Sequence, residues 1–269
     1  MPRRSAEGRM SVLDHLEELR SRLFRSILVL LLASAAAFFL SDRVFHLLIQ
    51  PYCDLPAKLR PAMAGGACKL YFTGVVDPFL VRIKVTLYVG AAIAMPFILF
   101  QTWRFITPGL HPKERRYAIP FVISSMALFA LGVWFAFLTL RPALQFLVGF
   151  AGKDIVPLLT VDRYLKFIMG MILAFGLTFE FPLVLVFLSI AGVLTSAKMI
   201  RAWRVAVFLI FLVAAVVTPS QDPYSLTLMA VPMLIFYVAA ILVARFMVEP
   251  ARRRRMAPDQ GGSTDGDQG

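Results

Sequence analysis

The feature that most constrains this chain is a series of long apolar runs, each closed off by charge. Val85–Trp103 and Tyr117–Leu140 contain no charged residue at all. A helix needs roughly 20 apolar residues to cross the hydrocarbon core of a bilayer, and both runs approach or exceed that. Only 16% of the side chains are charged, against about 25% in a soluble domain. The chain therefore reads as an all-α polytopic membrane protein.

Using charges as boundaries gives six spans: Leu23–Leu40, Val85–Trp103, Tyr117–Leu140, Tyr164–Val193, Val205–Val217 and Leu226–Ala244. An even number of crossings places both termini on one side. The N-terminal arm holds Arg3, Arg4, Arg9, Arg20, Arg22 and Arg25, and the tail holds Arg245 and Arg252–Arg255. Two loops on the same side add Arg104, Lys113, Arg115, Arg116, Lys198, Arg201 and Arg204. Most of the 28 Lys and Arg thus share one face, and the positive-inside rule makes that face cytoplasmic. The expected layout is N-in/C-in: an amphipathic cytoplasmic arm over residues 1–22, a six-span domain over 23–246, and a disordered cytoplasmic tail over 247–269.

The fifth and sixth spans are short. The continuous apolar run of the fifth covers 13 residues, about 20 Å of helix against a core of roughly 30 Å, so local thinning of the bilayer is expected beside it. Pro96, Pro120, Pro182 and Pro232 lie in or beside spans. Each removes a helix hydrogen bond, and together they suit a kinked bundle curved around a concavity, although any one of them reads equally as ordinary punctuation. Segments 42–80 and 141–163 fall on the opposite side. The first holds the chain's two cysteines, Cys53 and Cys68. Free thiols and a disulfide are both open there, the second favoured by an oxidising compartment and adding around 3 kcal/mol through closure of a roughly 15-residue loop.

A net charge of +12 raises nucleic acid as a partner. The bases, however, bracket hydrophobic spans and carry no DNA- or RNA-binding motif. Enzymatic constellations are missing as well. His15, His46 and His111 form no HExxH or metal-ligand spacing, and no GxSxG or phosphate-cradling glycine loop is present. No cofactor, metal or catalytic residue is expected, so any transport is driven from outside the chain.

Three acids stand out instead. In SVLDHLEELRSRLF (11–24) Val12, Leu16, Leu19 and Leu23 form one helical stripe, with Ser11 and Asp14 resembling a capping box. Glu18 lies on its polar side, where an i,i+4 pair with Arg22 is the plain reading. Glu114 sits in the Pro/Gly-stiffened loop FITPGLHPKERR (105–116), where a local pair with Arg115 or Arg116 is the corresponding plain reading. Two carboxylates within a basic surround also suit a guanidinium ligand, whose fork matches a carboxylate, while the surrounding positive charge repels other cations. Glu180, in AFGLTFEFP, lies 14 residues from Lys166 and 18 from Lys198, which is mid-span. A carboxylate at that depth costs at least about 2.5 kcal/mol, relieved by a proton, a polar partner or a wet cavity.

HLEELRSRL (15–23), FITPGLHPKERR (105–116), FGLTFEFP (175–182) and TPSQDPYSLTLMAVP (218–232) together resemble the TatC family, the multispanning receptor subunit of the twin-arginine protein translocase. The resemblance runs in order over roughly residues 11–247. It implies recognition of twin-arginine signal peptides on folded proteins, assembly with the single-span subunits TatA and TatB in a receptor complex holding more than one copy, and export across the cytoplasmic (inner) membrane driven by the proton-motive force. Carried over by motif, Glu18 and Glu114 are the signal-peptide acids, and Arg20, Phe105, Pro108, Leu110 and Arg116 shape the same surface. Glu180 matches a position of partner-helix contact, and Pro51 and Asp222 match functional positions in extracytoplasmic loops. For Asp222, turn chemistry in SQDP is the alternative. One departure stands out: Val238 occupies a place where many relatives carry an acid, so a docking role assigned there does not transfer. A secondary transporter of small solutes is the rival reading, suited by Glu180 and the kinked helices but lacking an internal repeat.

Overall fold

A computed structural model describes residues 12–56, 68, 70–106, 118–150, 159–219 and 222–250. Among them the fold is helical: α1 (Val12–Ala37), a 3-10 turn (Phe38–Leu40), α2 (Ser41–Cys53), α3 (Asp77–Ile106), α4 (Ala118–Gly149), α5 (Val161–Thr178), α6 (Phe181–Ile190), α7 (Ser196–Arg201), α8 (Trp203–Val217) and α9 (Pro223–Val243), which runs on into a π-helical turn (Ala244–Val248). Tyr71 and Thr160 form an isolated parallel bridge.

The amphipathic segment around Glu18 and the first span are one helix of 26 residues. Asp14 lies in its first turn, at the end of the helix dipole that favours negative charge. Among the described residues, five stretches are long and apolar enough to cross a membrane: Leu13–Cys53, Asp77–Phe105, Ile119–Gly149, Val161–Ile190 and Pro223–Val248. The remaining apolar helix, α8, has 15 residues, about 22 Å of rise.

Charge is a poor ruler for where these helices end. α4 passes through Arg141 and Pro142 to Gly149, and α5 begins at Val161, ahead of Asp162, Arg163 and Lys166. Long charged side chains reach back toward water from a helix end, so a charge marks the membrane boundary without ending the helix. Part of segment 42–80 is likewise helix α2. The fourth span does break, at Phe179–Glu180 between α5 and α6. Pro182, in the first turn of α6, has no N–H to continue the ladder and crowds the carbonyl four residues back.

α1 packs along α3, α4 along α5, and α6 and α8 against α9. Two glycines allow the closest approaches. A Cβ on Gly90 would lie 2.5 Å from Ser34 Cα, and one on Gly132 would lie 2.7 Å from the Phe175 carbonyl oxygen, so any side chain there forces the helices apart. The core centres on α5, where Tyr164, Ile168, Met171 and Phe175 are essentially inaccessible. Tyr164 donates its hydroxyl to the Leu48 carbonyl at 2.8 Å, and Tyr237 to that of Met199 at 2.8 Å. Helix α8, in contrast, buries only Ile210 and Ala214 among its described residues, and presents an apolar exterior suited to lipid.

Candidate functional site

Glu18 lies on α1 one turn before Arg22, and the two form the i,i+4 ion pair that the spacing alone predicts. Arg22 Nε donates to Glu18 Oε1 at 2.9 Å, and Nη2 donates to that same oxygen. Arg22 Nη1 crosses to α3 and donates to Gln101 Oε1 at 3.2 Å. Glu18 Oε2 is buried and accepts no hydrogen bond from any described residue; His15 Nδ1 lies 4.0 Å away. The His15 ring stacks on Phe105, centroids 4.3 Å apart and planes 12° from parallel. A cavity of about 380 Å³ opens beside this group, lined by Asp14, Glu17, Glu18, Ser21, Arg22, Arg25 and Arg104.

Of the residues expected on this surface, Glu18 and Phe105 are thus drawn together through His15, while Arg20 is exposed on α1. Pro108, Leu110, Glu114 and Arg116 lie outside the described residues. Reading the sequence overlooked Gln101. The available signal was a glutamine two residues inside the end of an uncharged run, where a buried amide needs a partner.

Glu180 sits at the α5–α6 break, at the N-cap position of α6. Its Oε2 accepts from Ser125 Oγ of α4 at 2.6 Å, and its Oε1 is buried without a hydrogen-bond partner among the described residues. Phe179, next to it, packs edge-on against Phe236 of α9, centroids 4.8 Å apart. Val238, also on α9, is exposed. The polar partner of Glu180 is therefore the Ser125 hydroxyl of the neighbouring helix α4, which lies in the third apolar run.

The remaining candidates lie at the far end of the molecule from Glu18. Pro51 is buried in the last turn of α2. Cys53 and Cys68 are joined in a disulfide, Cα atoms 5.2 Å apart. They help line a cavity of about 820 Å³ together with Asp42, His46, Arg82 and apolar residues of α2 and α3. Asp222 caps α9: its Oδ1 accepts from the Ser225 N–H at 2.8 Å, and Pro223 follows at the first helical position, a pairing that suits helix starts. Among the described residues, no group of three or more His, Cys, Asp or Glu is placed to hold a metal.

Comparison with known proteins agrees with this architecture. Residues 14–232 match the family described as Sec-independent protein translocase protein (TatC). A TatC protein of Frankia casuarinae is 42% identical over 241 residues, covering 88% of this chain and 66% of the relative; the chain thus spans just under two thirds of that protein. A TatC protein of Aquifex aeolicus is 36% identical over 239 residues, covering 88% of this chain and 95% of the relative. A crystal structure of the twin arginine translocase receptor TatC superposes with a TM-score of 0.71 at 36% identity, covering 86% of this chain and 98% of that one.

Proposed function

Given that the chain belongs to the TatC family of Sec-independent protein translocase proteins, a multi-pass membrane component of protein transport, we propose that its Glu18 end is a cytoplasmic receptor for twin-arginine signal peptides. The observation that carries this reading is the Glu18 carboxylate itself. It already holds one guanidinium through Oε1, has an Oε2 that accepts no hydrogen bond from the described residues, and borders a cavity. A carboxylate accepts a guanidinium by charge-assisted, directional hydrogen bonds, and Glu114 supplies the second carboxylate for the second arginine. Arg20, Phe105, Pro108, Leu110 and Arg116 shape the surrounding surface. The many exposed apolar side chains of the bundle offer the signal's hydrophobic segment its docking surface.

In this reading both termini are cytoplasmic, with six spans in the inner membrane. Glu180, whose Oε1 accepts no hydrogen bond from the described residues, meets the helix of a single-span partner, TatA or TatB. Pro51 and Asp222 shape the extracytoplasmic surface. The chain works as one copy of several in a receptor complex, and the proton-motive force drives passage of the folded cargo.

Photocrosslinking from residues 18 and 114 to a synthetic twin-arginine peptide tests the receptor directly. Both positions are expected to label the peptide in membranes, and labelling is expected to fall when its arginine pair is replaced by lysines. A Glu18→Gln, Glu114→Gln double variant that binds the peptide as before would refute it.

A further inference from the structure

The cavity at the Arg82 end plays no part in peptide recognition, and a role for it requires only that this end of a multi-pass protein meet a bilayer surface. We propose that it is a phospholipid site. One acyl chain lies in the cavity, and the headgroup is a zwitterion whose phosphate meets Arg82 and whose primary ammonium meets Asp42, the pattern of phosphatidylethanolamine.

Depth and lining carry the first half. The cavity measures about 820 Å³, within the roughly 300–1,000 Å³ typical of small-molecule sites. Along α2 the residues that face it fall in two rows at four-residue spacing: an apolar row of Phe45 and Ile49 beside a polar row of Asp42, His46 and Gln50. Side chains four apart are neighbours on one helix face, so an apolar wall adjoins a polar one. Helix α3 contributes Val81, Arg82 and Val85. Val85 opens the uncharged run that ends at Trp103, whereas Arg82 stands about one turn nearer the start of the helix. The space thus passes from a charged mouth to an apolar floor, the order in which a phospholipid passes from headgroup to chain. A wholly apolar ligand leaves the polar row without a partner, and a soluble phosphate leaves the floor empty. Phe38, its ring centroid 4.8 Å from the Arg82 guanidinium, and Phe72, on the cavity wall, are both exposed, so the mouth continues into surface that lipid covers.

Charge and access carry the second half. Arg82 Nη2 donates to Asp42 Oδ2 at 3.3 Å, and the two side chains are 49% and 78% exposed. A guanidinium has five N–H donors and a carboxylate two acceptor oxygens, so both partners keep accessible capacity. A headgroup joins this pair without opening it: phosphate oxygens accept from further N–H groups of Arg82, and the ammonium donates to Asp42. Positive and negative groups then alternate with none left over. Because nothing is displaced, preference among lipids depends only on what each headgroup supplies. Phosphatidylglycerol gives Arg82 a phosphate but has no cation for Asp42. Phosphatidylcholine has a cation without N–H donors, held off the carboxylate by its methyl groups. Phosphatidylethanolamine supplies both contacts.

The test is native mass spectrometry of the full chain in a mild detergent, titrated in turn with these three phospholipids carrying the same acyl chains. Phosphatidylethanolamine is expected to be retained most strongly. Asp42→Asn should lower its retention about threefold, as befits one solvent-screened ion pair, bringing it to the phosphatidylcholine level. Arg82→Gln should weaken all three lipids by about tenfold, because each loses its charge-assisted phosphate contact. Ile49→Trp, which fills the cavity and leaves both charges in place, should weaken all three as well. Soluble phosphoethanolamine, the headgroup without chains, should not compete at matched concentration. Equal retention of the three lipids by the unaltered chain overturns the proposal and leaves only annular lipid. So does an Asp42→Asn variant that still prefers phosphatidylethanolamine. Competition by phosphoethanolamine would make this a site for a soluble phosphate, and undiminished binding to Ile49→Trp would place the chain elsewhere; either result defeats it. Should Ile49→Trp fail to fold, the phosphoethanolamine arm decides whether the chain is needed. Twin-arginine peptide binding enters none of these measurements, so the receptor reading stands or falls separately.

Discussion

At its Arg82 end α3 is tied to its neighbours in several chemistries at once, whereas at its Gln101 end, about 28 Å away by helical rise, the ties are polar and exchangeable. Near Arg82 stand the Arg82–Asp42 pair at 3.3 Å, the Lys84–Asp162 pair and the Cys53–Cys68 disulfide. The Tyr71–Thr160 bridge and the Tyr164 hydroxyl on Leu48 reinforce the same end. Near Gln101 stand the Arg22 hydrogen bond from α1 and the stack of His15 on Phe105, beside an open cavity lined by charge. Burial and covalent closure fix geometry, while ion pairs at a cavity mouth can change partners at little structural expense. The receptor role proposed above would need both, since binding at one end stays local only if the frame behind it does not yield.

The largest expected effect lies at the exchangeable end. Glu18→Gln combined with Glu114→Gln is expected to lower twin-arginine peptide binding by about a hundredfold, since each charge-assisted hydrogen bond is worth about 1.5–3 kcal/mol. The midpoint of thermal unfolding in detergent should move little. A midpoint that collapses along with binding would show that Glu18 belongs to the frame, and the contrast between the ends would be lost.

The fixed end should answer in the opposite way. Replacing Cys53 by Ser opens a loop of 15 residues, which costs around 3 kcal/mol in the chain-entropy account. Unfolding should come earlier, with peptide affinity held within about twofold. Loss of affinity on that scale of destabilisation would mean the two ends are coupled through α3.

Between the ends sits Glu180, and Ser125→Ala asks which of them it resembles. Removing the hydroxyl leaves both carboxyl oxygens in apolar surroundings without a described donor, a loss of about 1–3 kcal/mol. In a Glu180→Leu background the same serine change should cost much less, because the group it satisfied is gone. Additive costs in that double-mutant cycle would show that Ser125 contributes by packing rather than through the carboxyl group.

How much of this was readable from the chain depends on the range of the interaction. The apolar runs forecast the long helices, because a bilayer imposes a length that shows directly in composition. Pro182 marked the place where the fourth run breaks. The Glu18–Arg22 pair was legible as an i,i+4 spacing. Its connection to Gln101, 79 residues from Arg22, was not, because nothing local in α1 says which face of α3 it meets. Ser125 as the partner of Glu180 was hidden for the same reason. The helices run past the span ends drawn at charges: α4 continues through Arg141 to Gly149, and α5 begins ahead of Asp162, since side-chain reach is invisible in a one-dimensional pattern. Asp222 is the reverse case: its local sequence, an acid before Pro223, was enough to forecast turn chemistry, and it caps α9 in that way.

The smallest effect sharpens the account of what fixes the fixed end. Lys84 and Asp162 join α3 to α5, but their side chains are 50% and 42% exposed. An ion pair that open to solvent contributes about 0.2–1 kcal/mol, and salt weakens it further. A double-mutant cycle with Lys84→Ala and Asp162→Ala should therefore return a coupling under about 1 kcal/mol at low salt, falling as ionic strength rises. The disulfide contribution, carried by a covalent constraint, should be the same at both salt concentrations. If instead the Lys84–Asp162 coupling exceeds the cost of losing the disulfide, the rigidity of this end is electrostatic. It would then be as exchangeable as the Glu18 end, and the difference between the two ends of α3 would reduce to which charges they carry.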